Sequence, residues 1–246
     1  MAEFLLLRLA APLMSFGGVR VDNRGVTQEF PGLSMITGLI GNALGLDHRD
    51  AGALTRLQER IRYGVRCDRP GSILRDFQTV DITQPFMTEG WTTRGAPEGR
   101  AGGQETRNNL HIREREFLAD AAYTIALALE PGGEAPTLDH VARALDEPER
   151  PLFVGRKPCL PSSPLLLARS QAGSLVEALA HAPALGRPIP AGRTLRAWLP
   201  AEVSADCAGT ELTVTDERDW VNQIVVGRRV LKMTTVTIQE DASDVR

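Results

Sequence analysis

A glycine-rich segment in the middle of the chain sets the strongest limit on the fold. Residues 95–103 read GAPEGRAGG, with four glycines and no large apolar side chain. Such a segment buries too little apolar surface to offset the entropy that is lost when it becomes ordered. It nevertheless lies between LRDFQTV (residues 74–80) and REFLADAAYTIALAL (residues 115–129), which are both typical of ordered structure. The sequence therefore predicts a limb, about residues 81–113, that projects from a folded domain.

Length and composition allow one large domain or two small ones. The chain has 246 residues, of which 42% are hydrophobic, so it can bury a sizeable core. It contains no run of 18 apolar residues, and no membrane span is predicted. Residues 1–16 lack the basic start of a signal peptide and are interrupted by Arg8, so they are interpreted as a first strand. Three widely spaced cysteines predict neither a disulfide framework nor a zinc site, and they favour a cytoplasmic location.

Hydrophobic periodicity predicts an alternation of strands and helices in the first 170 residues. The expected elements are a strand at 3–12, helices at 34–47 and 53–61, strands at 61–68 and 74–82, the limb, a long buried strand at 117–131, a helix at 137–148 and a strand near 160–168. Ser34 and Thr137 are the predicted caps of two of these helices. This order is that of the split βαβ, ferredoxin-like folds. The predicted fold class is α+β, with a ferredoxin-like domain over residues 1–170 and a smaller, mainly β region over 171–246.

The distribution of charge matters more than the net charge of −3, which by itself argues against nucleic-acid binding. Of the 28 basic residues, 26 are arginine, although a genome rich in G and C would produce the same bias. Basic residues outnumber acidic residues locally in residues 60–66, 150–157, 187–196 and 228–232. A chain that is acidic overall can still present a basic groove, because the electrostatic field that a ligand meets is local.

Sequence motifs for common catalytic and cofactor sites are missing. The chain has no P-loop, no HExxH, no GxSxG and no zinc-ligand spacing, so no cofactor and no metal are predicted. A metal-free ribonuclease needs a general base and a cation beside it. His111, close in sequence to Arg107, Arg113 and Arg115, is the candidate for that role, and placement on the surface is the alternative.

Five sequence blocks together resemble one protein family. In chain order they are RLAAPLMSFG, FPGLSMITGLIGNALGL, VRCDRPGSILRDFQTV, REFLADAAYTIAL and FVGRKPCLPSSPLLL. Their combination resembles the CasD family of type I-E CRISPR Cascade subunits, in the RAMP superfamily, over roughly residues 4–169. Residues 35–37 read Met-Ile-Thr where the family usually has Gly-Leu-Leu, and Gln78 stands where a histidine is common. Beyond residue 169 only the β character matches.

The resemblance implies a fold and a role. It implies a ferredoxin-like, RRM-like (RAMP) core with a protruding β-hairpin thumb, of which residues 95–103 would be the tip. In that family the subunit grips the 5′ handle of the CRISPR RNA, caps the backbone filament and meets the large subunit that reads the PAM; target DNA is an indirect partner. The chain is then predicted to be noncatalytic.

Two alternatives to this role remain open. One is a RAMP endoribonuclease of the type I-C kind, although its Tyr, Lys and His set cannot be placed here. The other is a protein-interaction module that does not bind RNA.

Arginine and lysine are the residue types that bind RNA phosphate, and arginine can do so with two parallel hydrogen bonds. Seven such residues lie in segments expected near the handle, and as single residues each is equally consistent with a surface salt bridge. The predicted RNA-binding residues are Arg24, Arg75, Arg107, Arg113, Arg115, Arg156 and Lys157.

Overall fold

The computed structural model describes residues 1–18, 23–81, 89–91, 97–99, 110–183, 190–205 and 207–239. Its strands are β1 (Ala2–Ala10), β2 (Leu13–Met14), β3 (Arg24–Gly25), β4 (Ile61–Arg69), β5 (Ser72–Asp81), β6 (Glu89–Trp91), β7 (Pro97–Gly99), β8 (Leu110–Ala119), β9 (Ala122–Leu129), β10 (Leu166–Ala172), β11 (Thr194–Pro200), β12 (Thr210–Val214), β13 (Glu217–Asp219), β14 (Ile224–Val226) and β15 (Arg229–Thr237). Its α-helices are α1 (Leu33–Ala43), α2 (Ala51–Arg60), α3 (Leu138–Asp146) and α4 (Leu175–His181), and a 3-10 helix spans Ala201–Val203.

A seven-stranded sheet forms the centre of the fold. Its strand order is β10-β1-β9-β4-β11-β15-β12, and every neighbouring pair is antiparallel. Along the chain, β1 is followed by α1 and α2, then β4, β9, α3 and β10. The chain thus has the mixed α and β architecture that the sequence predicts, built on a large antiparallel sheet with few helices. No helix of the described residues is long and apolar enough to cross a membrane.

Side chains cover both faces of this sheet, which explains the unbroken apolar run of β1. Leu5, Leu7 and Leu9 point into the larger core, together with α1 and α3. Phe4 and Leu6 point the other way and pack with residues of α4. Because successive side chains of a strand alternate between faces, a strand that is buried on both sides needs apolar residues at consecutive positions.

The C-terminal strands continue the same sheet. Strand β11 pairs with β4, and β15 lies between β11 and β12. The boundary predicted between residues 170 and 171 lies inside β10, whose partner is β1. The division of the chain into two domains stays a prediction.

A second, smaller sheet forms around β8. Strand β5 pairs with β8 along its whole length, from Ser72↔Ala119 to Asp81↔Leu110, and β2 and β3 also pair with β8. The chain enters this sheet through a turn at Gly71, which has φ +68; an added Cβ would lie 2.3 Å from the carbonyl oxygen of Ala119. This paired segment begins nine residues before the predicted limb, and residues 95–103 lie outside the described residues except for Pro97–Gly99 in β7.

The prediction of one long strand over residues 117–131 is wrong. The chain leaves β8 at Ala119 and begins β9 at Ala122, in the other sheet. Asp120 between them has φ +56, and its backbone N–H donates to the carbonyl oxygen of Pro12. A left-handed residue cannot continue a strand, so the apolar run is divided between two sheets.

The start of α1 also differs from the prediction. Its N-cap is Gly32 rather than Ser34. Asp216, 183 residues away, accepts the Leu33 backbone N–H with its carboxylate at 2.9 Å, and its carbonyl oxygen accepts the Ser34 N–H at 2.8 Å. The predicted cap of α3 by Thr137 is confirmed, because the Thr137 hydroxyl accepts the His140 backbone N–H.

Candidate nucleic-acid interface

A tight loop at residues 154–159 positions two of the predicted cationic residues. The Val154 N–H donates to Cys159 at 2.7 Å, and the Cys159 N–H donates to the Arg156 carbonyl at 2.8 Å. Gly155 has φ +95, and a Cβ added there would lie 1.6 Å from the carbonyl oxygen of Ser15. Only glycine fits this approach of two backbones. The loop therefore holds residues 156 and 157 at a fixed place beside residue 15.

Arg156 joins three elements. Its guanidinium donates to the carbonyl oxygen of Glu116 in β8 at 3.1 Å and to that of Gly25 in β3 at 3.2 Å. It also lies over the Phe117 ring, with its central carbon 4.9 Å from the ring centroid. Arg156 is half-buried, whereas the neighbouring Lys157 is exposed and makes no hydrogen bond or ion pair with the described residues. Lys157 is therefore available to an anion.

The small sheet separates the predicted arginines onto two faces. Arg24 and Arg75 lie on the face that carries Glu114 and Glu116. Their ion pairs are long: Arg24 lies 3.4 Å from Glu114, and Arg75 lies 3.4 Å from Glu116. The arginine side chains of these pairs are exposed while the glutamates are half-buried, so both guanidinium groups remain accessible to an anion from solvent.

The opposite face carries Arg113, Arg115 and Phe117, the residues that alternate with those glutamates along β8. Arg115 pairs in register with Gly25, the residue whose carbonyl binds Arg156. We call this side of the small sheet, with the loop beside it, the basic corner: Gly25, Arg115, Phe117, Arg156 and Lys157. The remaining predicted residue, Arg107, lies outside the described residues.

A cavity of 590 Å³ opens beside the basic corner, between α1, residues 15–18, residues 150–156 and the β13–β14 hairpin. Its lining combines aromatic and cationic side chains, which include Phe16, Phe153, Trp220, Arg150, Arg156 and Arg218. We call it the helix-side cavity. The sequence analysis did not predict Trp220 or Arg218 as part of a site, because no motif links residues 218–220 to residues 15–18.

Two arginines of residues 60–66 are buried and do not contribute to a basic surface. Arg66 is completely buried; its guanidinium lies 2.7 Å from the Asp68 carboxylate and donates to the carbonyl oxygens of Leu179 and Ala182. Arg60 is also fully buried and donates to the carbonyl oxygen of Pro131 at 2.8 Å. The local excess of basic residues in 60–66 is therefore partly used inside the protein, where Arg60 and Arg66 bind backbone carbonyl groups.

Metal-binding groups are not assembled in the described part of the chain. It contains no cluster of three His, Cys, Asp or Glu side chains that could hold a metal ion. The side chain of His111 lies outside the described residues. The hydroxyl of buried Tyr63 donates to the carbonyl oxygen of Pro31 at 3.0 Å, and burial raises the pKa of that hydroxyl above its ordinary range.

Comparison with known proteins identifies the family. The sequence model described as "CRISPR-associated protein (Cas_Cas5)" matches residues 4–231. The chain belongs to this family. The match extends beyond residue 169, where the resemblance quoted above ends, and reaches into β15. It thus includes the β13–β14 hairpin and Asp216.

A curated member of the family and two solved structures are similar to the chain. The "CRISPR system Cascade subunit CasD" of Escherichia coli (strain K12) is 32% identical over 181 residues, which are 73% of this chain and 76% of that protein. A chain of a "CRISPR RNA-guided surveillance complex" has a TM-score of 0.71 at 23% identity, covering 99% of this chain and 95% of that chain. A "Crystal structure of Cas protein" has a TM-score of 0.63 at 27% identity, covering 98% and 100%. The predicted resemblance to CasD is confirmed.

Proposed function

We propose that this chain is a noncatalytic CRISPR RNA-binding subunit of a Cascade surveillance complex. The observation that carries the proposal is the 32% identity, over 73% of the chain, to a protein named as a Cascade subunit. The basic corner supports an RNA role, because it presents Arg115 and exposed Lys157 beside an aromatic-lined cavity. Aromatic side chains can stack on bases, while cations bind the phosphates between them.

The fold supports the finer structural part of the proposal. Four strands of the central sheet lie side by side in the order β10-β1-β9-β4, and every neighbouring pair is antiparallel. Numbered along the chain, these are the fourth, first, third and second strands, which is the order of a ferredoxin-like domain. The paired strands β5 and β8 leave the central sheet together, and we interpret them as the base of the thumb. We also infer that the boundary near residue 170 separates the ferredoxin-like domain from a mainly β region that completes its sheet.

The specific partners follow from the same proposal. The subunit would hold the repeat-derived 5′ handle of the guide RNA, cap the filament of backbone subunits and contact the large subunit that reads the PAM, in the cytoplasm. The predicted RNA-binding set, from Arg24 to Lys157, supplies the phosphate contacts. Within this set Lys157 and Arg115 are the strongest candidates, because neither has a carboxylate partner among the described residues.

The endoribonuclease alternative gains no support from the described residues. Tyr63 is buried in a hydrogen-bonded network. Lys232 donates to the carbonyl oxygens of Ser204, Ala205 and Cys207 at 2.9 to 3.3 Å. Lys232 therefore holds a loop. The other lysine, Lys157, is exposed, but both tyrosines of the chain, Tyr63 and Tyr123, are buried and so are poorly placed to act with it.

Two measurements test the proposal. Small RNA is extracted from the complex that assembles when this chain is coexpressed with the other subunits encoded beside it, and the 5′ ends are sequenced. The proposal predicts uniform, repeat-derived 5′ ends. The purified chain alone is also incubated with repeat RNA in EDTA. Specific cleavage that is lost in His111→Ala would establish the nuclease instead.

A further inference from the structure

The β13–β14 hairpin separates two grooves of opposite character. In its register Arg218 pairs with Val225, Glu217 with Val226 and Asp219 with Ile224. Paired residues of antiparallel strands share a face. One face therefore carries the arginine and borders the helix-side cavity. The other carries two carboxylates and two apolar side chains and borders a second groove of 640 Å³.

The second groove is apolar inside. Leu33 and Ile61, both buried, line it together with Pro200 and Val226. Val221 lies at its edge with 75% of its surface exposed. Ile224, which shares a hairpin face with Asp219, is 55% exposed. Two exposed apolar side chains that adjoin an apolar groove are typical of a surface that another molecule covers.

Carboxylates surround this apolar groove. Glu202 and Glu217 make no hydrogen bond or ion pair with any described residue. The Glu59 carboxylate has a long contact of 3.5 Å to Arg56, while its backbone carbonyl accepts a hydrogen bond from Arg62 at 2.9 Å. Asp219 accepts N–H groups of its own turn, from Val221 at 2.9 Å and from Asn222. Those hydrogen bonds lower the pKa of Asp219, so its negative charge is retained.

The arginines that line the same groove already have partners. Arg62 lies 3.1 Å from the Glu130 carboxylate, and Arg229 lies 2.6 Å from that of Asp216. Arg218 donates to the Gln223 side-chain oxygen at 2.8 Å and lies over the Trp220 ring. The Gln223 oxygen and the Trp220 ring are neutral, so the charge of Arg218 is not balanced; the groove has four carboxylates against this one arginine, and its unbalanced charge is therefore negative. We call this surface the acidic groove: Glu59, Leu33, Ile61, Pro200, Glu202, Glu217, Asp219, Val221 and Val226.

We propose that the acidic groove binds a basic, apolar-anchored segment of a neighbouring protein subunit, with a Lys or Arg beside the side chain that enters the groove. The argument is charge complementarity: the negative edge repels RNA phosphate and attracts a cationic peptide. The inference rests on the proposed assembly of this chain into a complex. It assigns RNA to one side of the β13–β14 hairpin and protein to the other.

Photocrosslinking in the assembled complex tests this inference. Val221 is replaced by p-benzoylphenylalanine, the complex is coexpressed and irradiated, and the crosslinked peptide is identified by mass spectrometry. The expected product is a peptide of another protein subunit that contains Lys or Arg next to an apolar residue. A second probe at Ile224, which shares a hairpin face with Asp219, provides the test if the Val221 probe prevents folding.

Charge variants provide the control. Glu202→Lys/Glu217→Lys should reduce the crosslink yield about tenfold, a change worth ~1.4 kcal/mol. Glu202→Gln/Glu217→Gln should reduce it less and make it less sensitive to salt. The matched reversal Asp146→Lys/Glu147→Lys, at the exposed end of α3, should leave the yield unchanged. Thermal melts of each variant chain verify that it is folded.

The outcomes separate this inference from the proposed function. A crosslink to RNA, a crosslink to an acidic or uncharged segment, no crosslink, or a yield that the charge reversal leaves unchanged would each overturn the acidic-groove proposal. Guide RNA is quantified in the same preparation. If RNA is present and the peptide crosslink is absent, only the groove proposal is contradicted. If the peptide crosslink forms and RNA is absent, only the RNA-binding function is contradicted.

Discussion

At the scale of single residues, Asp216 connects parts of the chain that are far apart in sequence. Its carboxylate accepts the Leu33 N–H and is bound by both Nε and Nη2 of Arg229, at 3.2 and 2.6 Å. Arg229 also donates to the hydroxyl of Tyr63 at 2.7 Å. One buried carboxylate therefore caps α1 and joins the C-terminal strands to the centre of the sheet.

Asp216→Ala is expected to lower the free energy of unfolding by about 3 kcal/mol, because it leaves Arg229 without its charge partner and α1 without its cap. Urea denaturation measures the change. Arg169→Ala, which removes exposed ion pairs to Glu3 and Asp139, is the control and should change the stability little. Equal effects of the two variants would show that the Asp216 network contributes no more to stability than an exposed ion pair.

Lys157 is the residue at which a direct phosphate contact is easiest to test. On single-stranded RNA each neutralised phosphate contributes about 0.7 to the slope of log affinity against log salt. Lys157→Ala is expected to flatten the slope by about that amount and to weaken native and scrambled handles alike. Handle-RNA affinity of the assembled complex over a salt series is the measurement. An unchanged slope would mean that Lys157 touches no phosphate, and a loss confined to the native handle would mean that it reads a base.

The caps show which residue roles a sequence can reveal. The Thr137 cap is three residues from the backbone N–H that it accepts, so the local pattern predicted it. The Asp216 cap acts over 183 residues, and no local pattern carries that information.

The seven cationic RNA candidates were chosen by residue type and by the chain segment in which they lie. The separation of Arg24 and Arg75 from Arg113 and Arg115 onto two faces of the small sheet depends on the pairing register of β8 with β3 and β5, which the sequence did not supply.

At the scale of elements, the loop at residues 154–159 sets the geometry of the basic corner. It depends on Gly155, whose positive φ and contact with Ser15 leave no space for a side chain. Gly155→Ala must push residue 15 away from the loop, and Arg156 would then lose its place between β3 and β8.

Gly155→Ala is expected to weaken RNA binding by the complex at least about tenfold (~1.4 kcal/mol), with the circular dichroism spectrum preserved. The control is Gly52→Ala in α2, where an added Cβ meets nothing within 4 Å. That change should be neutral or slightly stabilising, because alanine favours a helix over glycine by about 1 kcal/mol. Undiminished RNA affinity in Gly155→Ala would remove the loop from the interface.

Element types were easier to predict than their partners. Strong apolar runs identified β1 and β9 as strands, because burial on both faces requires consecutive apolar residues, and the alternation of apolar and polar residues identified β4. The division at Asp120 was missed because residues 117–129 form one apolar run, and only the positive φ of a single aspartate sends its two parts to different sheets.

At the scale of the whole molecule, the limb beyond the β5–β8 pair is expected to be independent of the core fold, whereas β8 itself contributes Phe117 and Leu118 to the core. Replacing residues 82–109 by Asn-Gly would connect Asp81 to Leu110, which face each other in register, through a two-residue turn that suits a hairpin. The shortened chain should keep its thermal melting temperature, while its yield in the assembled complex should fall strongly. Normal assembly would mean that the limb has no role as a thumb.

The nonlocal pairing of its strands explains why the sequence predicts the C-terminal third of the chain only as mainly β. Its strands carry few motif residues, and their position beside β4 rests on pairings such as Trp198↔Val65, which join residues more than 130 positions apart. Nonlocal pairing of this kind determines the architecture without leaving a local sequence pattern. The acidic groove escaped the sequence analysis for the same reason, since α2, β4 and residues 200–229 all contribute to it.

The central proposal is that this chain holds the repeat-derived 5′ end of a guide RNA at the basic corner and the helix-side cavity. Ultraviolet crosslinking of the assembled complex, with the nucleotide and the peptide identified together by mass spectrometry, tests it most directly. We predict crosslinks between 5′-handle nucleotides and peptides of this chain that contain residues 15–18 or 150–159. Handle crosslinks confined to other subunits, or crosslinks of this chain to spacer-derived nucleotides alone, would contradict it.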